Sequence, residues 1–412
     1  MAPSRSGAGE RAANRPSRNF LWATAPHRGG PVAGSGSPGS LVVGARARSA
    51  GWRIDPGRPR ILVYLNAVGR AFPANYVDQD TLIAAFREAW ASRYHNVARI
   101  EQLHRNVLVG GRHLALPIEQ YLDLDFTRAN DAFVRVATDI GAEAVLTALA
   151  QLGASPRDID AIWFVSVTGI AAPSIDARLV NRLGFRPDIK RNPIFGLGCV
   201  AGAAGISRAS DYVRAFPEHT ALLLSVELCS LTLQRDDLSI PNLIASGLFG
   251  DGAAAAIVSG RPTTARGPAP RVIATQSAFY PNTEDVMGWK IGSGGFRIVL
   301  SSEVPEMVRK YLILDAERFL GAHGLKVTDI GVWIAHPGGP KVLEVMQEVF
   351  GLAPGALART WDSLRMLGNL SSASVLNVLG DVLDAEPPAP GTWGIVLAMG
   401  PGFCSELVLV QW

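Results

Sequence analysis

The chain has 412 residues, 48% of them apolar and 18% charged, enough core material for one large or two medium globular domains and too little charge for a disordered chain. Three cysteines at 199, 229 and 404 make no C-x-x-C pair and no even-numbered framework, which excludes a disulfide scaffold and points to a reducing, cytoplasmic compartment where a cysteine is either buried or reactive. Net charge is +3, but residues 1–60 hold ten arginines against two acids, while the rest holds 29 basic against 34 acidic residues, so the body is mildly acidic and not built for nucleic acid; no apolar run reaches the roughly 18 residues of a spanning helix.

Residues 1–57 are rich in Gly, Ser, Pro, Ala and Arg with little apolar periodicity and read as a disordered extension. Its composition is also that of an organelle transit peptide, but without amphipathic periodicity a flexible tail or an over-extended start is favoured, and it has no secretory core. Two halves follow, 58–260 and 261–412. The first opens on a strand near 60–65, then a helix over 79–91 and a long amphipathic helix over 131–152 with Val134, Ile140, Val145, Leu146 and Leu149 on its apolar face. A strand at 161–167, a helix from Cys199 to about Phe216, an apolar strand at 221–227 and a turn and buried strand at 250–260 complete it. The second half repeats the plan: a helix over 304–323, a strand at 331–335, a helix over 340–351, a helix from just past Asn369 to Asp384, and strands at 393–399 and 404–411. Alternating helices and buried strands, duplicated, predict a layered α/β fold.

The duplication is visible in the letters. Asp158-Ile159 opens one apolar strand and Asp329-Ile330 the other; Cys199 follows Trp163 by 36 residues, as Asn369 follows Trp333. A pseudo-twofold repeat therefore places a thiol and a carboxamide at equivalent turns, with His336 ending the second repeat's strand. Cys199 lies among small residues, GLGCVAGAAG, at a strand-to-helix turn. Alone it could be an inert core cysteine; the glycine-rich turn and the helix N-terminus favour a reactive thiol with a lowered pKa. His336 opens His-Pro-Gly-Gly-Pro at a strand end, where active sites of open α/β sheets gather. Asn369 stands before a helix start and reads either as a donor or as a simple N-cap. Cysteine, histidine and carboxamide together point to thioester carbon–carbon bond chemistry. The papain-like order is the same, but the C-G-S-C-W context of that nucleophile is absent. No His/Cys/Asp/Glu cluster has metal-ligand spacing, and neither metal nor redox cofactor is expected.

These motifs, with LFGDGAAAAIV at 248–258 and GNLSSAS at Asn369, give residues 60–412 a sequence that resembles the type III polyketide synthases, the chalcone and stilbene synthase-like branch of the thiolase superfamily. The resemblance implies a thiolase-like αβαβα layered fold, a homodimer, and iterative decarboxylative condensation of malonyl-CoA or methylmalonyl-CoA onto an acyl-CoA starter. Cys199 would be the nucleophile, with His336 and Asn369 holding the malonyl thioester carbonyl. Phe249 and Phe296 match the gating phenylalanines; Thr168, Ala172, Glu227, Cys229 and Thr232 match pocket positions; Ser371 sits beside Asn369. Arg99, Arg105, Gly338 and Gly339 are candidates for CoA contact, and Gly400, Pro401 and Gly402 for the cyclisation loop, whose family sequence GFGPG reads Ala398-Met399-Gly400-Pro401-Gly402 here. Small residues at 168, 172 and 229 favour a medium- or long-chain fatty acyl starter and an alkyl-α-pyrone or alkylresorcinol product. A ketoacyl-ACP synthase III performing one condensation and an inactive thiolase-fold binding scaffold are the alternatives.

Overall fold

The computed structural model describes residues 61–91, 96–262 and 267–412. The extension expected over 1–57 lies outside them. In chain order the strands are β1 Tyr64–Ala71, β2 Asn75–Asp78, β3 Gly111–Leu114, β4 Ala161–Ser166, β5 Lys190–Phe195, β6 Thr220–Leu228, β7 Asp251–Ser259, β8 Arg271–Phe279, β9 Met287–Gly292, β10 Gly295–Leu300, β11 Ile330–Ala335, β12 Trp393–Gly400 and β13 Cys404–Gln411.

Nine of them form one sheet in the order β11-β12-β13-β8-β1-β7-β6-β4-β5. The order is palindromic about the β8/β1 seam. β4 runs parallel to β6 as β11 does to β12, and β7 is antiparallel to β6 and β1 as β13 is to β12 and β8. β5, with no counterpart, leaves an edge carrying Pro193, which donates no ladder hydrogen bond. The repeated Asp-Ile entries have one local cause. Asp158 accepts from the Ser155 N–H and Asp329 from the Lys326 N–H, each at 2.7 Å, so each carboxylate closes a short 3₁₀ turn that feeds the strand.

Alternation along the buried strands sorts side chains into layers. Ala221 and Leu223 of β6 and Val396 and Ala398 of β12 meet Ala203, Ile206, Val375 and Leu379 from the helices Ala201–Ala215 and Ser372–Asp384. Those two helices form the central layer. The opposite face of the first half, with Leu222, Leu224 and Val226, packs on the helix Phe126–Ala150. The opposite face of the second half, with Ile395 and Leu397, packs on Val308, Leu312, Phe319 and Leu343. The result is the five-layer αβαβα architecture.

Two element expectations are corrected. Leu146, placed on the apolar face of the long helix, is 48% exposed; the buried stripe is Ala137, Ile140, Ala144, Val145 and Ala148, because the helix begins at Phe126 and alanines let it lie close on the alanine-rich β7. The single helix over 304–323 is three pieces, Val304–Met307, a π-helical turn Val308–Leu312 and Ile313–Gly321. Among the described residues no helix is long and apolar enough to cross a membrane.

Candidate active site

Cys199 sits in a single 3₁₀ turn, Gly198–Val200, that runs into the helix Ala201–Ala215, at the end of the connection from β5. Gly198 has φ +56° and a Cβ there would lie 2.7 Å from the Pro401 ring; a Cβ on Gly400 would lie 2.7 Å from the Val200 N–H nitrogen. The Gly400-Pro401-Gly402 loop joining β12 to β13 is thus pressed onto the turn that carries the sulfur, with glycine required on both surfaces.

Asn369 heads the equivalent approach to the helix Ser372–Asp384. The helix N-cap position is Ser371, not Asn369, which removes the N-cap reading of the asparagine. Asn369 Oδ1 accepts the Ser371 N–H at 2.8 Å, and this fixes the amide orientation so that Nδ2 points the other way, 3.4 Å from the Gly338 carbonyl. Ser371 itself has φ +49°, a region non-glycine residues enter at a cost, and the bond from Asn369 helps hold it there. Its hydroxyl lies 3.6 Å from Cys199 Sγ. Gly338 N–H donates to the His336 carbonyl at 2.9 Å, and His336 N–H bonds to Leu397 O at 2.8 Å, pinning the histidine at the end of β11. A continuous line of contacts therefore runs Cys199, Ser371, Asn369, Gly338, His336. The side chains of Cys199, His336 and Asn369 are all buried.

Burial sets their resting charge. It pushes the Cys199 thiol up to about 12, with the Glu227 charge adding and the Ser371 hydroxyl opposing. It pulls His336 down to about 3, and His336 Nδ1 has no hydrogen-bond partner. The lowered thiol pKa expected from the helix N-terminus is thus corrected: desolvation outweighs the helix dipole, and the pair rests as thiol and neutral imidazole.

A mostly apolar cavity of about 860 Å³, counted out to its mouth, is bounded by Phe249, Cys229, Trp90, Leu114, Leu233 and Ile298; Phe249 is bridged to Asn369, and none of Cys199, His336 and Asn369 lines it. Of the expected pocket residues, Cys229, Thr232 and Phe249 line it, and Thr232 Oγ1 donates to the Cys229 carbonyl at 2.7 Å. Others do not. Thr168 and Glu227 lie outside that wall in a buried polar knot, where the Glu227 carboxylate accepts from Thr168 Oγ1 at 2.9 Å, the Val167 N–H at 3.0 Å and Ser372 Oγ. Burial raises the Glu227 pKa, and these hydroxyls pull against it. Ala172 is exposed on the loop after β4, because that loop turns outward before the helix Ile175–Leu183. Phe296 packs against Phe126, Phe195 and Trp289 behind the wall, and Ile298, two residues on along the same face of β10, takes the lining position. Arg99 is exposed on the helix Val97–Asn106, and Arg105 is held by Glu101 and Asp80 at 3.0 Å each. Gly339 caps the helix Pro340–Phe350 with φ +143°. Sequence reasoning missed Arg112, Tyr121, Trp289 and Ile298 in the cavity wall and the fully buried His104; a lone arginine in GGRHLAL carries no periodic signal.

Residues 57–262 match the family model of chalcone and stilbene synthases, N-terminal domain, and residues 271–412 match that of the C-terminal domain. The chain belongs to the chalcone and stilbene synthase family. It is 50% identical to a 1,3,6,8-tetrahydroxynaphthalene synthase of Streptomyces peucetius subsp. caesius over 84% of this chain and 92% of that one. It is 31% identical to a 3,5-dihydroxyphenylacetyl-CoA synthase of Streptomyces toyocaensis, covering 87% and 91%. The crystal structure of the 1,3,6,8-tetrahydroxynaphthalene synthase of Streptomyces coelicolor A3(2), a bacterial type III polyketide synthase, superposes with TM-score 0.80 at 32% identity, covering 85% of this chain and 99% of that one. This family member is a type III polyketide synthase, an acyltransferase on a thiolase-like fold.

Proposed function

We propose that this synthase extends a medium- or long-chain fatty acyl-CoA with malonyl-CoA and cyclises the product to an alkyl-α-pyrone or alkylresorcinol, with Cys199, His336 and Asn369 as the reacting and stabilising groups. The observation that carries the reading is the contact line from Cys199 to His336, bridged at Asn369 to Phe249 in the wall of an apolar cavity. His336 takes the Cys199 proton as sulfur attacks the starter thioester. A sulfur–carbon bond forms, and the CoA thiolate leaves with the proton that the imidazole returns. Malonyl-CoA then loses carbon dioxide. The electron pair of the broken carbon–carbon bond moves into the thioester, and N–H groups of His336 and Asn369 stabilise the enolate oxygen. The enolate carbon attacks the acyl group on Cys199, the carbon–sulfur bond breaks and Cys199 leaves as thiolate, which takes the lengthened chain back from CoA, with CoA thiolate as leaving group, for the next cycle.

The wall supports this starter. Leu82, Phe86, Trp90, Leu114 and Leu233 offer an alkyl chain apolar contact, and Cys229 adds a small side chain to the same wall. Ala172, exposed in a single chain, contributes nothing to this argument. A second reading, malonyl-CoA as both starter and extender, is favoured by the names of the Streptomyces relatives. Product analysis by mass spectrometry separates them. Malonyl-CoA with a series of fatty acyl-CoAs should give alkyl pyrones or resorcinols without a carrier protein, and Cys229→Phe should shorten the accepted chain. A naphthol from malonyl-CoA alone supports the second reading, and an unchanged chain-length profile in Cys229→Phe counts against the cavity as the acyl site. A homodimer is likewise proposed: Ile170 and Phe195 are exposed apolar side chains beside the open β5 edge, and light scattering of the purified protein tests it.

A further inference from the structure

Residues 248–252 join the helix Ile240–Leu248 to β7, and Phe249 in their middle is bound to Asn369 by a two-stranded backbone bridge. Asn369 N–H donates to Leu248 O at 2.9 Å and Gly250 N–H to Asn369 O at 3.0 Å. The cavity-wall phenylalanine and the carboxamide therefore move as one piece of backbone.

Two buried groups of opposite charge stand on either side of this piece. On the helix side is Arg112, 2% exposed. Its Nη1 donates to Gly247 O at 2.5 Å and to Gln79 Oε1 at 2.9 Å, and its other terminal nitrogen to Ser246 O. Gln79 Nε2 donates to the same Gly247 carbonyl at 3.1 Å. These carbonyls end a helix, so they lack intrahelical donors and carry the negative end of its dipole; a planar cationic fork satisfies both needs, and an ammonium could not reach all of them. Burial lowers the Arg112 pKa only to about 10, so the guanidinium keeps its charge at neutral pH. On the strand side Asp251 accepts from the Ala115 N–H at 2.6 Å, the Ser230 N–H at 2.8 Å and Ser230 Oγ.

Arg112 and Ala115 belong to the same short segment around β3. Gly110, two residues earlier, donates to Arg365 O at 2.7 Å, in the helix Ala358–Leu367 that ends just before Gly368 and Asn369. Residues 110–115 thus grip both ends of the 248–252 turn and the approach to Asn369. There is no slack: a Cβ on Gly250 would lie 2.3 Å from Leu367 O and 3.1 Å from Arg112 Cβ. The backbone turn of Cys199 rests elsewhere, on Gly198 and the Gly400-Pro401 loop.

We propose that Arg112, bracketing the 248–252 turn with Asp251, is a positioning residue that sets the Asn369 carboxamide and the Phe249 ring together, and so governs malonyl-CoA decarboxylation and chain extension far more than the loading of Cys199. The proposal rests on the role given to Asn369 under the proposed function. The test measures two half-reactions in the full chain: Cys199 acylation by a fatty acyl-CoA, read as the mass of the intact protein, and carbon dioxide release from malonyl-CoA. Arg112→Gln should lower decarboxylation by about 100-fold, the scale of loss for a misplaced reacting group, and acylation by less than about ten-fold, since Arg112 also borders the cavity. Arg112→Lys, which keeps the charge without the fork, should fall between. Equal losses in both half-reactions would mean a merely structural role, and unchanged decarboxylation would overturn the proposal outright. Should Arg112→Gln not fold, Gln79→Leu removes the Gln79 bonds to Gly247 O and His104 O and the Arg112 bond to Gln79 Oε1, and keeps the Arg112 guanidinium. It should show the same split on a smaller scale, and an equal effect on both steps overturns the idea. A parent protein that neither acylates nor decarboxylates sinks the functional reading itself, a result distinct from any of these.

Discussion

Cys199 and His336 are both buried, one pushed up to about 12 and the other down to about 3, so a thiolate forms only when the sulfur's proton has somewhere to go. If the imidazole is that acceptor, removing it changes the pH law of the sulfur. In His336→Ala the rate of Cys199 alkylation by iodoacetamide, followed by mass spectrometry, should fall at neutral pH by about ten-fold or more and climb about ten-fold per pH unit up to about pH 12, as an unassisted high-pKa thiol does. The parent should show a flatter profile; identical profiles would remove His336 as the proton acceptor. Asn369→Ala should raise the decarboxylation barrier by about 2.7–4 kcal/mol, the usual loss for one oxyanion donor, with acylation of Cys199 intact. These three residues stand out in the sequence because each sits in a turn beside glycines or prolines, where regular periodicity breaks off. Glu227, Thr168 and Phe296 are harder to place. Each lies on or beside a buried strand, where the choice between a cavity wall and a polar or aromatic cluster behind it depends on what the facing elements supply. Ala172 lies on a loop exposed in the single chain, and the course of such a loop is not written in its letters.

At the level of elements, the helices Ala201–Ala215 and Ser372–Asp384 cross so closely that Gly202 has no space for a side chain: a Cβ would stand 2.3 Å from the Ser372 carbonyl and 2.6 Å from Val375 Cγ1. Gly202→Ala should destabilise the protein by about 1–3 kcal/mol, as overpacking does, and should lower activity more than stability, since Cys199 and Asn369 head the two helices. Chemical denaturation beside a rate measurement checks both; a stable, fully active variant would mean the crossing can relax at no cost to the site. Periodicity found seven of the thirteen strands, with most of their ends within a residue or two, and passed over β2, β3, β5, β8, β9 and β10 and the helices Val97–Asn106, Ile175–Leu183, Ile240–Leu248 and Ala358–Leu367. It failed at the π-helical turn Val308–Leu312, since one inserted residue per turn shifts a stripe without breaking it. It also mistook Leu146 for core, because alanines bury a helix face as effectively as leucines while sounding weaker in the pattern.

Across the whole molecule, two neutral histidines make the fold sensitive to acid. His104, fully buried with Nε2 bonded to Leu243 O at 3.0 Å, is held down to about 4 by burial and then by the Arg112 charge, and His336 to about 3. The unfolded chain protonates both near 6.5, so between there and the folded values it binds more protons than the native state, and stability falls as pH falls through that window. The two together should cost a few kcal/mol by about pH 4. Asp251, raised by burial to about 6, acts in the opposite sense between about 6 and 3.8 and offsets part of it. The melting temperature should therefore drop as pH is lowered from about 6.5, and His104→Gln should flatten the drop; an equally steep curve in the variant would remove His104 from the account. The layering itself was legible in the doubled Asp-Ile-strand units, whereas the continuity of the sheet across the β8/β1 seam was not, because pairing between distant strands leaves no local mark.

The palindromic strand order carries an implication about ancestry. Sulfur and carboxamide occupy corresponding places in two copies of one module, so a forebear of half the length would have carried the same residue at both places and needed a sibling molecule to complete any centre. Copies joined in a single gene are free to diverge, and a thiol at one place with a carboxamide at the other is the outcome of that liberty.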